Sequence, residues 1–221
     1  MKKIGIFYLF LFILSACQTE IKNDDVTIID DSIISIIDKS SKIEIIADSL
    51  IVSEGPLWDE NSKSLIFTDV AQNKMFTWNE KEGVQDFIKP SGYTGYSPAF
   101  EEGLNGANGI TFNKSGDIVI CQHGDRRVAL IANQKTNDPI FTTIIDNYEG
   151  KKFNSPNDLS IASNGDIYFT DPPYGFFQMA SSSFDNRYKE LDFNGVYKLS
   201  AEGDLSLVSK EMSIPNGIVL S

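Results

Sequence analysis

Apolar and polar residues alternate over short stretches along most of this chain, with turn residues between the stretches. Residues 153–175 show the unit most fully. Asn157 and Asp158 follow a proline, Leu159 and Ile161 open a short strand, Asn164 and Gly165 make a turn, and residues 166–170 form a second strand. Two β-prone runs joined by Asn-Gly predict a hairpin. Upstream, Asn108 and Gly109 lead Ile110 and Phe112 through a Ser115-Gly116 turn into residues 117–120. Asn108 to Asp117 and Asn157 to Asp166 are both nine steps. Glu54, Gly55 and Pro56 open a further copy, which runs through Leu57 and Trp58 into residues 64–69, and Pro215, Asn216 and Gly217 start a fourth. Residues 42–47 and 195–199 read as further strands, and 81–83 and 201–204 as hairpin turns. Helical periodicity of useful length is absent.

The leading positions are therefore Glu54, Asn108, Asn157 and Asn216, spaced by 54, 49 and 59 residues. Repeats of this period, each made of several short strands, predict an all-β fold of the β-propeller kind, one four-stranded blade per repeat. Equivalent positions then converge on a central channel. A single Asn before Gly is ordinary turn chemistry, but one carboxylate and three amides in register form a ring of hard oxygen donors suited to calcium, which takes about 6–8 oxygen ligands.

The start of the chain changes the picture. Lys2 and Lys3 precede an apolar run, residues 4–14, and then Leu14-Ser15-Ala16-Cys17. The run is too short to span a bilayer and reads as an export signal, residues 1–16. Leu-Ser-Ala-Cys resembles the bacterial lipobox, which implies cleavage before Cys17, lipidation of its thiol, and a place in the bacterial cell envelope facing the periplasm or the exterior. Residues 17–41, polar and acidic around Ile-rich pieces, read as a tether, with Ile33-Ile34 and Ile36-Ile37 as an alternative rim strand. The propeller part is then residues 42–221. With the signal removed, 17 basic residues face 31 acidic ones, a formal charge of −14. This argues against nucleic acid and against electrostatic docking on anionic lipid, and suits a cation-binding domain. With Cys17 acylated, Cys121 has no partner, so no disulfide is expected and Cys121 reads as a small packed side chain.

Seven motifs in order carry a resemblance from about Leu50 to the last residue: Glu54 to Trp58 with Ile66 to Asp69, Ala107 to Ile110, Cys121 to Gly124 with Arg126-Arg127, Ser155 to Asp158, Phe169 to Gly175, Asn194 to Tyr197, and Pro215 to Gly217. Together they resemble the gluconolactonase branch of the family that also holds senescence marker protein and the luciferin-regenerating enzyme. The resemblance implies a six-bladed propeller with a divalent metal in its channel (calcium first, with zinc, magnesium or manganese as alternatives) that hydrolyses lactones or related esters. It puts Glu54, Asn157 and Asn216 at the metal and Asn108 in the substrate pocket. The family's aspartate ligand, also its proposed general base, belongs to a later blade, so the main base is expected beyond Ser221. This chain supplies about three and a half blades, and a complete ring implies roughly 100–130 further residues after Ser221.

The implied chemistry is polarisation of a lactone carbonyl by the metal and attack by water, with Asp158 the nearest carboxylate in this chain for the base. Orienting Asn157 or capping a strand turn is its alternative role. His123, the single histidine, is a candidate for substrate contact or loop support. Arg126 and Arg127 read as solvated ion-pair partners. Phe67, Tyr168 and Phe169 read as blade packing, and Tyr93, Tyr96 and Phe100, in the loop 91–106, as a lid. A lipid-anchored binding module without catalysis is the alternative to the enzyme, and an inactive fragment a further one. Phosphoryl transfer and glycoside cleavage lack the basic clamp or paired carboxylates they need.

Overall fold

A computed structural model describes residues 27–38, 40–98, 100, 102–132 and 139–221. They fall into two units, divided between Ile45 and Ile46. In the first, Asp31–Ser35 is a 3₁₀ turn, with Asp30 Oδ1 accepting the Ser32 N–H at 2.8 Å. The turn occupies the place of the alternative rim strand; its Ile36 is 79% exposed. The strand expected at 42–47 does not form. Ile43 and Ile45 lie exposed in irregular chain, because a strand needs a hydrogen-bonded neighbour and none of the described strands pairs with this stretch.

The second unit is all-β. Its first four-stranded antiparallel sheet is β1 (Ser53–Asp59), β2 (Ser64–Asp69), β3 (Lys74–Asn79) and β4 (Gly83–Ile88), in that spatial order. The second is β5 (Ala107–Phe112), β6 (Ile118–Gln122), β7 (Arg127–Ala132) and β8 (Ile140–Ile145). A small pair, β9 (Asn147–Tyr148) and β10 (Lys151–Lys152), leads to the third sheet. That sheet joins β11 (Leu159–Ile161) and β12 (Ile167–Asp171) to β15 (Gly195–Leu199) and β16 (Leu205–Ser209). The hairpin β13 (Phe177–Gln178) and β14 (Ser183–Phe184) is inserted between them. Each sheet is a meander, the arrangement of a propeller blade. The hairpin expected about Asn164-Gly165 is β11–β12, and the strand read at 195–199 is β15. From Asn216 to Ser221 the chain is irregular, so the fourth repeat is represented by its leading residue and not by a strand.

Packing between sheets explains the strand sequences. In β6, Ile118 and Ile120 face the core shared with the first sheet, beside Ile66, Met75 and Ile88. Val119 and Cys121 face the core shared with the third, beside Phe153, Leu159, Phe169 and Tyr197. Successive side chains point to opposite faces, so the first four residues of β6, packed on both sides, are all apolar, and buried Gln122 ends the strand with its amide bonded to the Ser91 carbonyl and Arg127. Cys121 is buried as a packing residue, and burial pushes its thiol well above its usual range. Phe67 stacks on Phe76 with centroids 5.5 Å apart, and Phe169 on Tyr197 at 5.2 Å. These are blade-packing contacts.

Candidate functional site

In each sheet one residue lies at or just before the start of the inner strand, and in the first and third sheets the same set of bonds holds it. Asp69, at the end of β2, accepts the N–H groups of Ile51 (2.7 Å) and Val52 (3.3 Å), three and two residues before Glu54. Asp171, at the end of β12, accepts those of Asn154 and Ser155 (both 2.8 Å), three and two residues before Asn157. Both aspartates are fully buried. Burial pushes the Asp69 carboxyl up, but the Ile51 N–H, the Gln72 side chain and further backbone donors outweigh it and hold it below its ordinary value.

The residue before each aspartate reaches the next sheet. Thr68 Oγ1 donates to the Asn108 carbonyl at 3.1 Å, and Thr170 Oγ1 to the Asn216 carbonyl at 2.6 Å. Between the second and third sheets, the Gly109 N–H donates to the Asn157 carbonyl at 2.7 Å. A side chain on Gly109 would put its Cβ 2.4 Å from Asp158 Oδ1, so only glycine allows that approach. Register shifts between Glu54 and Leu57 and between Ala107 and Ile110 mark bulges at the head of β1 and β5, a device that re-aims side chains.

These seams bring the leading residues together. Glu54, Asn108, Asn157 and Asn216 line one cavity of about 160 Å³, with His123, Val52, Val70, Leu104 and Tyr174. Burial, and next the charge of Asp158, push the Glu54 carboxyl above its ordinary value. Asn157 is 1% exposed, and its Oδ1 is buried with no hydrogen-bond partner among the described residues. His123 is 1% exposed, and burial lowers its pKa to about 4, so the ring is neutral at ordinary pH. Its Nδ1 faces the Leu104 carbonyl at 3.1 Å and its Nε2 faces Asn157 Nδ2 at 3.4 Å.

Asp158 lies outside the cavity lining, with Oδ1 accepting the Leu159 N–H and Oδ2 the Ile218 N–H, both at 2.9 Å. That is the turn-capping arrangement, extended across a seam. The aspartate expected beyond Ser221 lies outside the described residues, as does Cys17. The arginines are buried, not solvated: Arg127 pairs with Asp125 at 3.2 Å and stacks over Tyr96 at 4.0 Å, while Arg126 Nε donates to the Phe153 carbonyl at 2.6 Å and Nη1 reaches Glu190. Desolvation forces such cations to find partners. Tyr93, Tyr96 and Phe100 do not line the cavity. Their loop reaches it through Leu104, and the insertion after β12 reaches it through Tyr174. Loop and insertion interlock: Phe100 packs on Tyr188 at 5.2 Å, and a Cβ on Gly103 would lie 1.9 Å from the Gly175 carbonyl. Leu104 and Tyr174 carry no sequence signal of this role; the Thr-Asp pairs at the ends of β2 and β12, which hold the approaches to Glu54 and Asn157, repeat in the sequence and are the signal that could have found those holding bonds. A wider groove of about 650 Å³ lies between Trp58, Trp78 and the hairpin turns of the first sheet, and gathers no buried ionisable group among the described residues.

The donor set of the cavity fits a hard cation: one carboxylate, amide oxygens, and a buried Oδ1 that has no donor among the described residues. Among the described residues no three His, Cys, Asp or Glu side chains gather into a metal cluster, so such a site would depend on the amides. Successive four-stranded antiparallel sheets with a polar cavity where their leading residues meet define a propeller-like protein. Residues 52–221 match the SMP-30/gluconolactonase/LRE-like region, and the chain belongs to that family. It is 40% identical over 190 residues to a gluconolactonase of Zymomonas mobilis subsp. mobilis, covering 85% of this chain and 51% of the relative. A presumed gluconolactonase solved by X-ray crystallography superposes with a TM-score of 0.63 at 30% identity, covering 78% of this chain and 53% of that one. The Xanthomonas campestris gluconolactonase XC5397 gives 0.61 at 26% identity, covering 76% and 50%. The chain therefore spans about half the length of these relatives.

Proposed function

We propose that this chain forms the first three blades, and the leading residue of a fourth, of a six-bladed propeller that hydrolyses a sugar lactone at a hub cation. The observation that carries the reading is the convergence of Glu54, Asn108, Asn157 and Asn216 on one cavity, with the Asn157 Oδ1 buried and unpartnered among the described residues. Glu54, Asn157 and Asn216 would hold the ion, calcium before zinc, magnesium or manganese, because the donors are hard oxygens. When bound, the ion supplies positive charge where the lactone carbonyl develops negative charge. The relatives described as gluconolactonases support the lactone as substrate.

The chain's own groups have distinct parts in this reading. Asn108 orients the substrate and Glu54 supplies the one charge of the cavity wall. Asp158, with both oxygens on backbone N–H groups, braces the seam and raises the proton affinity of Glu54. His123, with both nitrogens engaged, does not take the proton of the attacking water. In this reading the base is a further carboxylate, which the family resemblance puts in a later blade. At its start, the lipobox-like Cys17 would anchor the protein to the cell envelope, with residues 17–41 as tether.

Calorimetric titration with calcium tests the cation site, and lactone hydrolysis above the spontaneous rate, measured on a complete homologue carrying the same residues, tests the reaction. Glu54→Gln should weaken calcium affinity at least about tenfold, since a single charge pair 4 Å apart at an effective dielectric near 20 is worth about 4 kcal/mol. Asn108→Ala should weaken it less. Equal affinities for both variants and the parent would sink the assignment.

A further inference from the structure

His123 is held at both ring nitrogens, and the two contacts are not independent. The Leu104 carbonyl, 3.1 Å from Nδ1, can only accept, so Nδ1 carries the proton. A neutral imidazole has one N–H, which leaves Nε2 with a lone pair. Asn157 can then meet Nε2 only with its amino end, at 3.4 Å. Turning the amide over, or moving the proton to Nε2, would set a carbonyl oxygen against a ring lone pair at one of the two contacts. The amide polarity of Asn157 is thereby fixed with Oδ1 turned away from the ring, and this is the Oδ1 that is buried without a partner among the described residues. Asn216 differs. Its Nδ2 lies 3.4 Å from the Tyr174 hydroxyl, which donates as readily as it accepts and so does not choose between the two amide orientations.

We propose that His123 is a positioning residue of the cation site: its Nε2 locks Asn157 with Oδ1 as the presented ligand, and the Leu104 carbonyl, by setting the tautomer, makes the loop 91–106 part of that lock. The inference rests on the reading of Asn157 as a ligand. It assigns His123 no contact with the lactone.

The tautomer can be observed without any variant, because the chain has a single histidine. Long-range ¹H–¹⁵N correlation of the imidazole should show Nδ1 protonated and Nε2 bare. The Nε2 resonance should move on calcium titration, as coordination of Oδ1 strengthens donation from Nδ2. A bare Nδ1 overturns the proposal. In calorimetry, His123→Phe, which keeps a ring but offers no acceptor, should lower calcium affinity about 10–100-fold, the usual effect of losing a group that orients a metal ligand. His123→Gln retains a donor for Leu104 and an acceptor for Asn157, and should recover most of that loss. Parent-like affinity in His123→Phe, or equal losses in both variants, overturns the proposal. Should His123→Phe fail to fold, the tautomer and the Gln variant decide. A parent that binds no calcium removes the proposed function, and the tautomer still decides the contact with Asn157.

Discussion

Replacing Asp69 with Asn changes one atom in a buried knot of hydrogen bonds, and the loss can be worked out bond by bond. Oδ1 accepts from the N–H groups of Val52 (3.3 Å), Ala71 and Gln72 (both 3.1 Å), and Oδ2 from the Ile51 N–H and Gln72 Nε2 (both 2.7 Å). In Asp69→Asn the carbonyl keeps the first three. The amino group replaces Oδ2, where Gln72 can turn its own oxygen toward it but the Ile51 N–H faces a second donor. One bond to a charged acceptor is lost, and such bonds are worth about 1.5–3 kcal/mol. We expect a loss of about 2 kcal/mol at pH 7, read by urea unfolding. The pH dependence gives an independent check. The folded carboxyl sits below its ordinary 3.8, so its stabilisation is full above that value and disappears as pH falls through the lower folded value. Parent and variant should therefore differ at neutral pH and converge in acid. A difference below about 0.5 kcal/mol, or one independent of pH, would refute the claim that Asp69 pins the approach to Glu54 through its charge.

The seams give a paired test. Thr68→Val removes a hydroxyl whose acceptor, the Asn108 carbonyl, is buried, and Thr170→Val removes one that donates to the Asn216 carbonyl and accepts the Asp158 N–H; each should cost about 1–3 kcal/mol in unfolding free energy, and a loss below about 0.5 kcal/mol in both would contradict the seam argument. Cys17→Ser should move the protein from the detergent phase to the aqueous phase on phase partition, and unchanged partition would refute the anchor.

What the sequence made legible follows from the range of the forces involved. The Asn164-Gly165 hairpin and the strand β15 are written in local turn chemistry and two-residue alternation, so they were readable. The four leading residues were readable because a repeat states the same position several times. Residues 42–47 misled because alternation describes what a segment could pair with, while a strand exists only where a neighbour supplies hydrogen bonds. Arg126 and Arg127 misled because their partners, Phe153, Glu190 and Asp125, include residues far along the chain, and nothing local marks their burial. Leu104 and Tyr174 reach the cavity by the paths of a long loop and an insertion, which no periodicity encodes.

In every seam, the backbone of a leading residue or of its neighbour is held by the sheet before it, and the outermost strands β4, β8 and β16 take no part in those bonds. Change can therefore accumulate at the rim, where new partners or solvents act, without displacing the atoms at the hub. A lineage of such proteins is free to acquire different outer surfaces while keeping one chemistry, and rim loops are the natural place to graft new binding segments. The converse also holds: a substitution at Thr68, Gly109 or Thr170 would be felt one sheet further on, in a residue it never touches in sequence.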